Sequence, residues 1–159
     1  MVSSSPIQIQ YISNSPEETV AIGFRLGKIL KPGNVVGLYG DLGSGKTTMV
    51  KGIARAVGIP ERDIVSASFT IIAEYGTNPP FTHIDLYRID TSGDLIELGI
   101  WEHLGNDSIT VIEWAEKTEQ WLPEQAIKVR LQLMSDTVRT ITIEGIHEEN
   151  RDNHTHPTK

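Results

Sequence analysis

Residues Gly40-Asp41-Leu42-Gly43-Ser44-Gly45-Lys46-Thr47 satisfy the pattern G-x-x-x-x-G-K-[ST] without a mismatch, and no other feature of the chain restricts its fold as strongly. Such a loop works in one setting only. A buried strand must deliver the chain into it and a helix must start at its end, so that successive backbone N–H groups curl around an anion at the positive end of the helix. Both flanks meet this demand. Asn34-Val35-Val36-Gly37-Leu38-Tyr39 is a short apolar run of the kind found in strands buried on both faces. Thr47–Val57 places Met49, Val50, Ile53, Ala54 and Val57 on one side of a helix, which Gly58 and Pro60 terminate.

The residue types in the loop fit polyphosphate chemistry. Glycine lets the backbone turn without a Cβ penalty, Lys46 supplies a compact cation for the β- and γ-phosphates, and the Thr47 hydroxyl suits Mg²⁺. Gly43, Ser44, Gly45 and Thr48 complete the cradle. A loop of this type also needs a carboxylate near the metal, at the end of a hydrophobic strand. Asp85 follows Phe81-Thr82-His83-Ile84, and Glu113 follows Ile109-Thr110-Val111-Ile112. The second strand is the more uniformly apolar, which favours Glu113 for Mg²⁺ and leaves Asp85 to orient or activate a water.

Around this centre the pattern alternates between helix and strand. Ile7, Ile9 and Tyr11 alternate with Gln8 and Gln10 as in a half-buried strand, and Ser15 with Glu18 forms a capping-box pattern that has Pro16 at the first helical position. The apolar periodicity then runs to Ile29-Leu30. Ile64-Val65, Thr70–Tyr75 and Phe81–Ile89 read as extended, Leu95–Leu104 as a short helix, and Ile127–Leu133 with Val138–Glu144 as a hairpin. The order predicts a three-layer α/β fold of the P-loop NTPase type, a mixed sheet with a parallel centre and antiparallel edge strands. One domain over 1–146 suits the length, and the polar stretch 147–159 reads as a disordered tail. His154 and His156 in that tail lack the further ligands of a metal site.

Composition narrows the function. Cysteine is absent, which excludes thiolate metal sites, disulfide staples and a cysteine nucleophile. The net charge of −7 argues against strong direct binding of nucleic acid. No apolar run approaches a membrane span and no signal-peptide pattern opens the chain, so the expected location is the cytoplasm.

YGDLGSGKTT at Tyr39–Thr48, SASFT at Ser66–Thr70, HIDLYR at His83–Arg88, Glu97-Leu98-Gly99 and VIEW at Val111–Trp114, in this order and spacing, resemble the TsaE family. These are bacterial P-loop ATPases that assist threonylcarbamoyladenosine modification of tRNA. The resemblance covers about Ser15 to Glu144. It implies ATP in the loop, Mg²⁺ held by Thr47 and Glu113, a requirement for Asp85 in hydrolysis, Trp114 beside the nucleotide, and TsaD and TsaB as partners. Ala67 stands where the family usually has proline, while the hydroxyls of Ser66, Ser68 and Thr70 remain for a switch-like loop that senses the γ-phosphate. The competing class is a small-molecule kinase of the P-loop type. Its lid needs several clustered basic residues, but Arg88, Arg130, Arg139 and Arg151 are scattered singly. The guanine-specifying N-K-x-D pattern is also absent, which favours ATP over GTP. Arg88 is the one nearby internal arginine, but three residues after Asp85 on an extended segment it is expected to fix Asp85 or the partner surface, not to act on the phosphates. Trp101 and Trp121 read as packing residues, and His83 and His103 as structural.

Overall fold

The computed structural model describes residues 7–65 and 71–147. The expectations for Ser66–Thr70, including the γ-phosphate switch, lie outside the described residues, as does nearly all of the tail. The elements run β1 (Ile7–Ser13), α1 (Pro16–Ile29), β2 (Val35–Tyr39), α2 (Lys46–Ala56), β3 (Ile72–Tyr75), β4 (Phe81–Asp85), α3 (Ser92–Leu98), β5 (Ile109–Glu113), β6 (Ile127–Leu133) and β7 (Arg139–Ile146).

The seven strands form one sheet in the order β1-β7-β6-β2-β5-β4-β3. Pairings β6-β2, β2-β5 and β5-β4 are parallel, whereas β1-β7, β7-β6 and β4-β3 are antiparallel. The sheet is therefore mixed, with a parallel centre and antiparallel edges. Side chains alternate between its two faces. Val36 and Leu38 of β2, Ile109 and Val111 of β5, Val129 and Leu131 of β6 and Ile141 and Ile143 of β7 pack with α1 and α2. Val35, Tyr39, Ile84 and Ile112 pack on the opposite side with Leu95 of α3, Ile100 and Ala115. The result is three layers.

Local chemistry sets the ends of the elements. The Ser15 hydroxyl accepts the Glu18 N–H at 3.1 Å, and the Glu18 carboxylate reaches back one residue further than a capping box requires, to the Asn14 N–H at 2.7 Å. The two helices beside the loop approach closely because glycine faces glycine between them. A Cβ on Gly52 would lie 2.1 Å from the Val20 carbonyl oxygen, and one on Gly23 would lie 2.5 Å from that of Met49.

Several expected extents are corrected. Ile64-Val65 is not a strand: a 3-10 turn occupies Glu61–Asp63, and Ile64 is buried as a single extended residue. The segment Phe81–Ile89 leaves the sheet at Asp85, and a turn over Leu86–Ile89 follows, closed by the Ile89 N–H to the Leu86 carbonyl at 3.0 Å. Leu95–Leu104 is broken by Gly99, whose left-handed backbone (φ 63°) separates α3 from a 3-10 turn at Ile100–His103. Trp101 is 45% exposed there and packs no core, whereas Trp121 does pack against the cluster under α3.

Candidate functional site

Register and pleat bring the site together. Asp85 and Glu113 are paired residues at the carboxyl ends of β4 and β5, so both side chains project from the same face of the sheet. That face is the one covered by α2, and β2 ends beside them at Tyr39, where the glycine loop begins. Ligand sites in open α/β sheets form at this edge, outside the carboxyl ends of parallel strands.

Within the loop, Gly43 (φ 82°) and Gly45 (φ 102°) have left-handed backbone, and a Cβ on Gly43 would meet nothing within 4 Å. Lys46 opens α2, and its buried ammonium donates to the carbonyls of Gly40 and Asp41, the latter at 2.9 Å. The same ammonium lies 4.0 Å from the centre of the Trp114 ring. Burial lowers the Lys46 pKa from its ordinary value, opposed by the negative charges of Glu113, Glu116, Asp85 and Asp41 around it. Thr47 Oγ1 donates to Glu113 Oε1 at 2.7 Å, which joins the start of α2 to the end of β5. A cleft of about 460 Å³ is bounded by Gly43, Gly45, Lys46, Thr47, Thr48, Asp85, Tyr87, Glu113, Trp114 and Arg139. Its size is within the range of small-ligand sites.

The expected residues Gly43, Gly45, Lys46, Thr47, Thr48, Asp85, Glu113 and Trp114 all line this cleft. Ser44 lies behind the loop, and its hydroxyl is buried without a hydrogen-bond partner. Such an orphan is costly unless a ligand or water satisfies it. The space over Gly43, which lines the cleft, leaves room for a phosphate at the loop. For a divalent cation the donors are Thr47 and Glu113. Among the described residues no group of three or more His, Cys, Asp or Glu side chains could hold a metal.

Three residues carry more than their sequence context suggested. His83 has a partner after all, since its Nε2 donates to Glu113 Oε2 at 2.6 Å in the sheet interior. Trp114 has φ 61° and ψ 44°, the left-handed region that glycine favours, and is the one such non-glycine among the described residues. That backbone costs about 1–2 kcal/mol and turns the chain sharply after Glu113, with the indole against Lys46 and the Tyr87 ring 5.4 Å away. Arg139, not Arg88, is the arginine held against the loop: its Nη1 donates to the Ser44 carbonyl at 2.9 Å. Arg88 sits in the exposed turn after Asp85, where Lys117 Nζ donates to the carbonyls of Leu86, Tyr87 and Ile89 at 2.9, 3.1 and 2.7 Å.

Fold and site thus define a three-layer α/β protein with a glycine-rich loop between β2 and α2 and two carboxylates at the ends of its parallel strands. The comparisons with known proteins sharpen this. The family model for TsaE, threonylcarbamoyl adenosine biosynthesis protein, matches residues 13–141. The chain belongs to the TsaE family. It is 36% identical over 140 residues to the tRNA threonylcarbamoyladenosine biosynthesis protein TsaE of Bacillus subtilis, covering 87% of each chain. Over 136 residues it is 39% identical to the protein of that name from Rickettsia bellii, covering 84% of this chain and 93% of that one. The crystal structure of Bacillus subtilis YdiB superposes with a TM-score of 0.76 at 33% identity, over 94% of this chain and 93% of that one. No helix among the described residues is long and apolar enough to cross a membrane.

Proposed function

We propose that this chain binds ATP with Mg²⁺ in a P-loop NTPase fold and hydrolyses it in support of threonylcarbamoyladenosine modification of tRNA, acting on a TsaB–TsaD complex in the cytoplasm. The observation that carries this reading is the hydrogen bond from Thr47 to Glu113 at the mouth of the glycine loop. It sets a hydroxyl and a carboxylate side by side next to a buried lysine. The pathway is supported by the names of the relatives, and a role beside partner proteins suits the net charge of −7.

The loop N–H groups and Lys46 bind the phosphates, Thr47 and Glu113 hold Mg²⁺, and the Trp114 indole stands beside the nucleotide. Bound Mg²⁺ neutralises charge on the β- and γ-phosphates. Asp85 is buried at the floor of the cleft, its Oδ1 accepting the Tyr87 N–H at 3.1 Å. That bond orients the carboxylate to hold a water for attack on the γ-phosphoryl. Turnover of the chain alone is slow, because Arg139, the arginine that lines the cleft among the described residues, is directed at the Ser44 carbonyl, and the partner complex raises it.

Replacing Lys46 tests the binding site. Lys46→Ala removes the cation facing the phosphates, and a folded variant should lose most of its affinity for Mg²⁺-ATP and Mg²⁺-ADP in calorimetry. Undiminished affinity would contradict the site. Phosphate released to water, with none transferred to a small acceptor, separates this reading from a kinase.

A further inference from the structure

Arg139 begins β7, far from the glycine loop in sequence, yet the residue is only 8% exposed and its guanidinium lies directly against that loop. It shares the face of β7 that carries Ile141 and Ile143, under α1 and α2, and pairs with Ser13 on one side and Leu133 on the other. Nη1 donates to the Ser44 carbonyl at 2.9 Å, and a Cβ on Gly45 would come within 2.4 Å of it. Nε is buried with no partner, although arginine is among the costliest groups to bury unsatisfied.

We propose that Arg139 is the positioning residue of the loop, locking the Ser44–Gly45 peptide so that the Gly45 N–H serves as an anion donor. The peptide is trans, so its carbonyl and N–H point in opposite directions. Holding the carbonyl against the guanidinium turns the Gly45 N–H away from Arg139, and a cation on the carbonyl polarises that N–H into a stronger donor. Position 45 favours glycine, because any side chain would have to adopt φ 102° and would displace the Arg139 guanidinium from the loop. The inference rests on the nucleotide reading and adds the group that keeps the cradle formed before ligand arrives. Preformed donors avoid an ordering cost on binding.

The test combines calorimetry with Mg²⁺-ADP and the ¹⁵N–¹H resonance of Gly45 in wild type, Arg139→Gln and Arg139→Lys. A folded Arg139→Gln protein should bind Mg²⁺-ADP on the order of 10- to 100-fold more weakly, as expected for loss of a charge-assisted hydrogen bond. Its Gly45 amide should move upfield before any ligand is added, a change that mere loss of strand stability would not produce. Arg139→Lys keeps the charge and the strand pairing but not the fork, and should recover only part of both. If Arg139→Gln does not fold, the lysine variant carries the test. Wild-type affinity and an unmoved Gly45 amide in a folded variant would overturn the proposal alone. Failure of the wild-type protein to bind Mg²⁺-ADP would overturn the nucleotide reading and this inference with it.

Discussion

His83 and Glu113 are joined by a hydrogen bond of 2.6 Å from Nε2 to Oε2, and each side chain keeps only 2% of its surface exposed. An ionised carboxylate can only accept, so Nε2 carries the proton. With Thr47 on Oε1 and His83 on Oε2, both Glu113 oxygens are fixed and the carboxylate has a single orientation. Partners that hold a metal ligand in this way are commonly worth 10- to 100-fold in metal affinity.

His83→Ala should therefore raise the Mg²⁺ concentration needed for half-maximal ATP hydrolysis by about 10- to 100-fold. It should also destabilise the protein by about 1–3 kcal/mol, since one buried carboxylate oxygen loses its donor. A Mg²⁺ titration of phosphate release and a denaturant unfolding curve check the two effects. An unchanged Mg²⁺ requirement would show that Thr47 alone orients Glu113.

The two carboxylates at the strand ends should separate by function. Glu113→Gln is expected to weaken Mg²⁺-dependent nucleotide binding. Asp85→Asn should leave affinity within a few-fold and slow hydrolysis by about 10²–10⁴-fold, as for a group acting in the transition state. Equal losses of binding in both variants would contradict the division.

Much of this site was legible because its parts are contiguous or sit at strand ends. The glycine loop with Lys46 and Thr47 is a local pattern, and Asp85 and Glu113 each close an apolar run. His83 and Arg139 were not legible in the same way. The bond from His83 to Glu113 depends on the parallel register of β4 against β5, and the reach of Arg139 depends on β7 running antiparallel beside β6. Neither relation has a spacing signature. The left-handed backbone of Trp114 is likewise set by the turn it must make, against its own preference. Ile64-Val65 reads as extended in the sequence because an apolar pair carries too few residues to tell a strand from a loop that buries only its first member.

A stability prediction follows from the far side of the sheet. The Tyr39 hydroxyl donates to Glu119, and burial, then that bond and the Glu119 charge, hold the phenol well above its ordinary value of 10.0. The protonated phenol is the form the fold favours, so this contribution is complete below about pH 10 and is lost as pH rises beyond it. Tyr39→Phe should cost about 1 kcal/mol near neutrality, and the gap between the two proteins should close in alkaline unfolding measurements. A gap that stays constant across that range would contradict the assignment.

Phosphate release from Mg²⁺-ATP, followed with and without the TsaB–TsaD complex, tests the central claim most directly. The account predicts slow, Mg²⁺-dependent release by the chain alone, a rise in rate on adding the complex, and loss of both in Asp85→Asn. ATP that binds with Mg²⁺ but yields no phosphate above background, with the complex present, would contradict it.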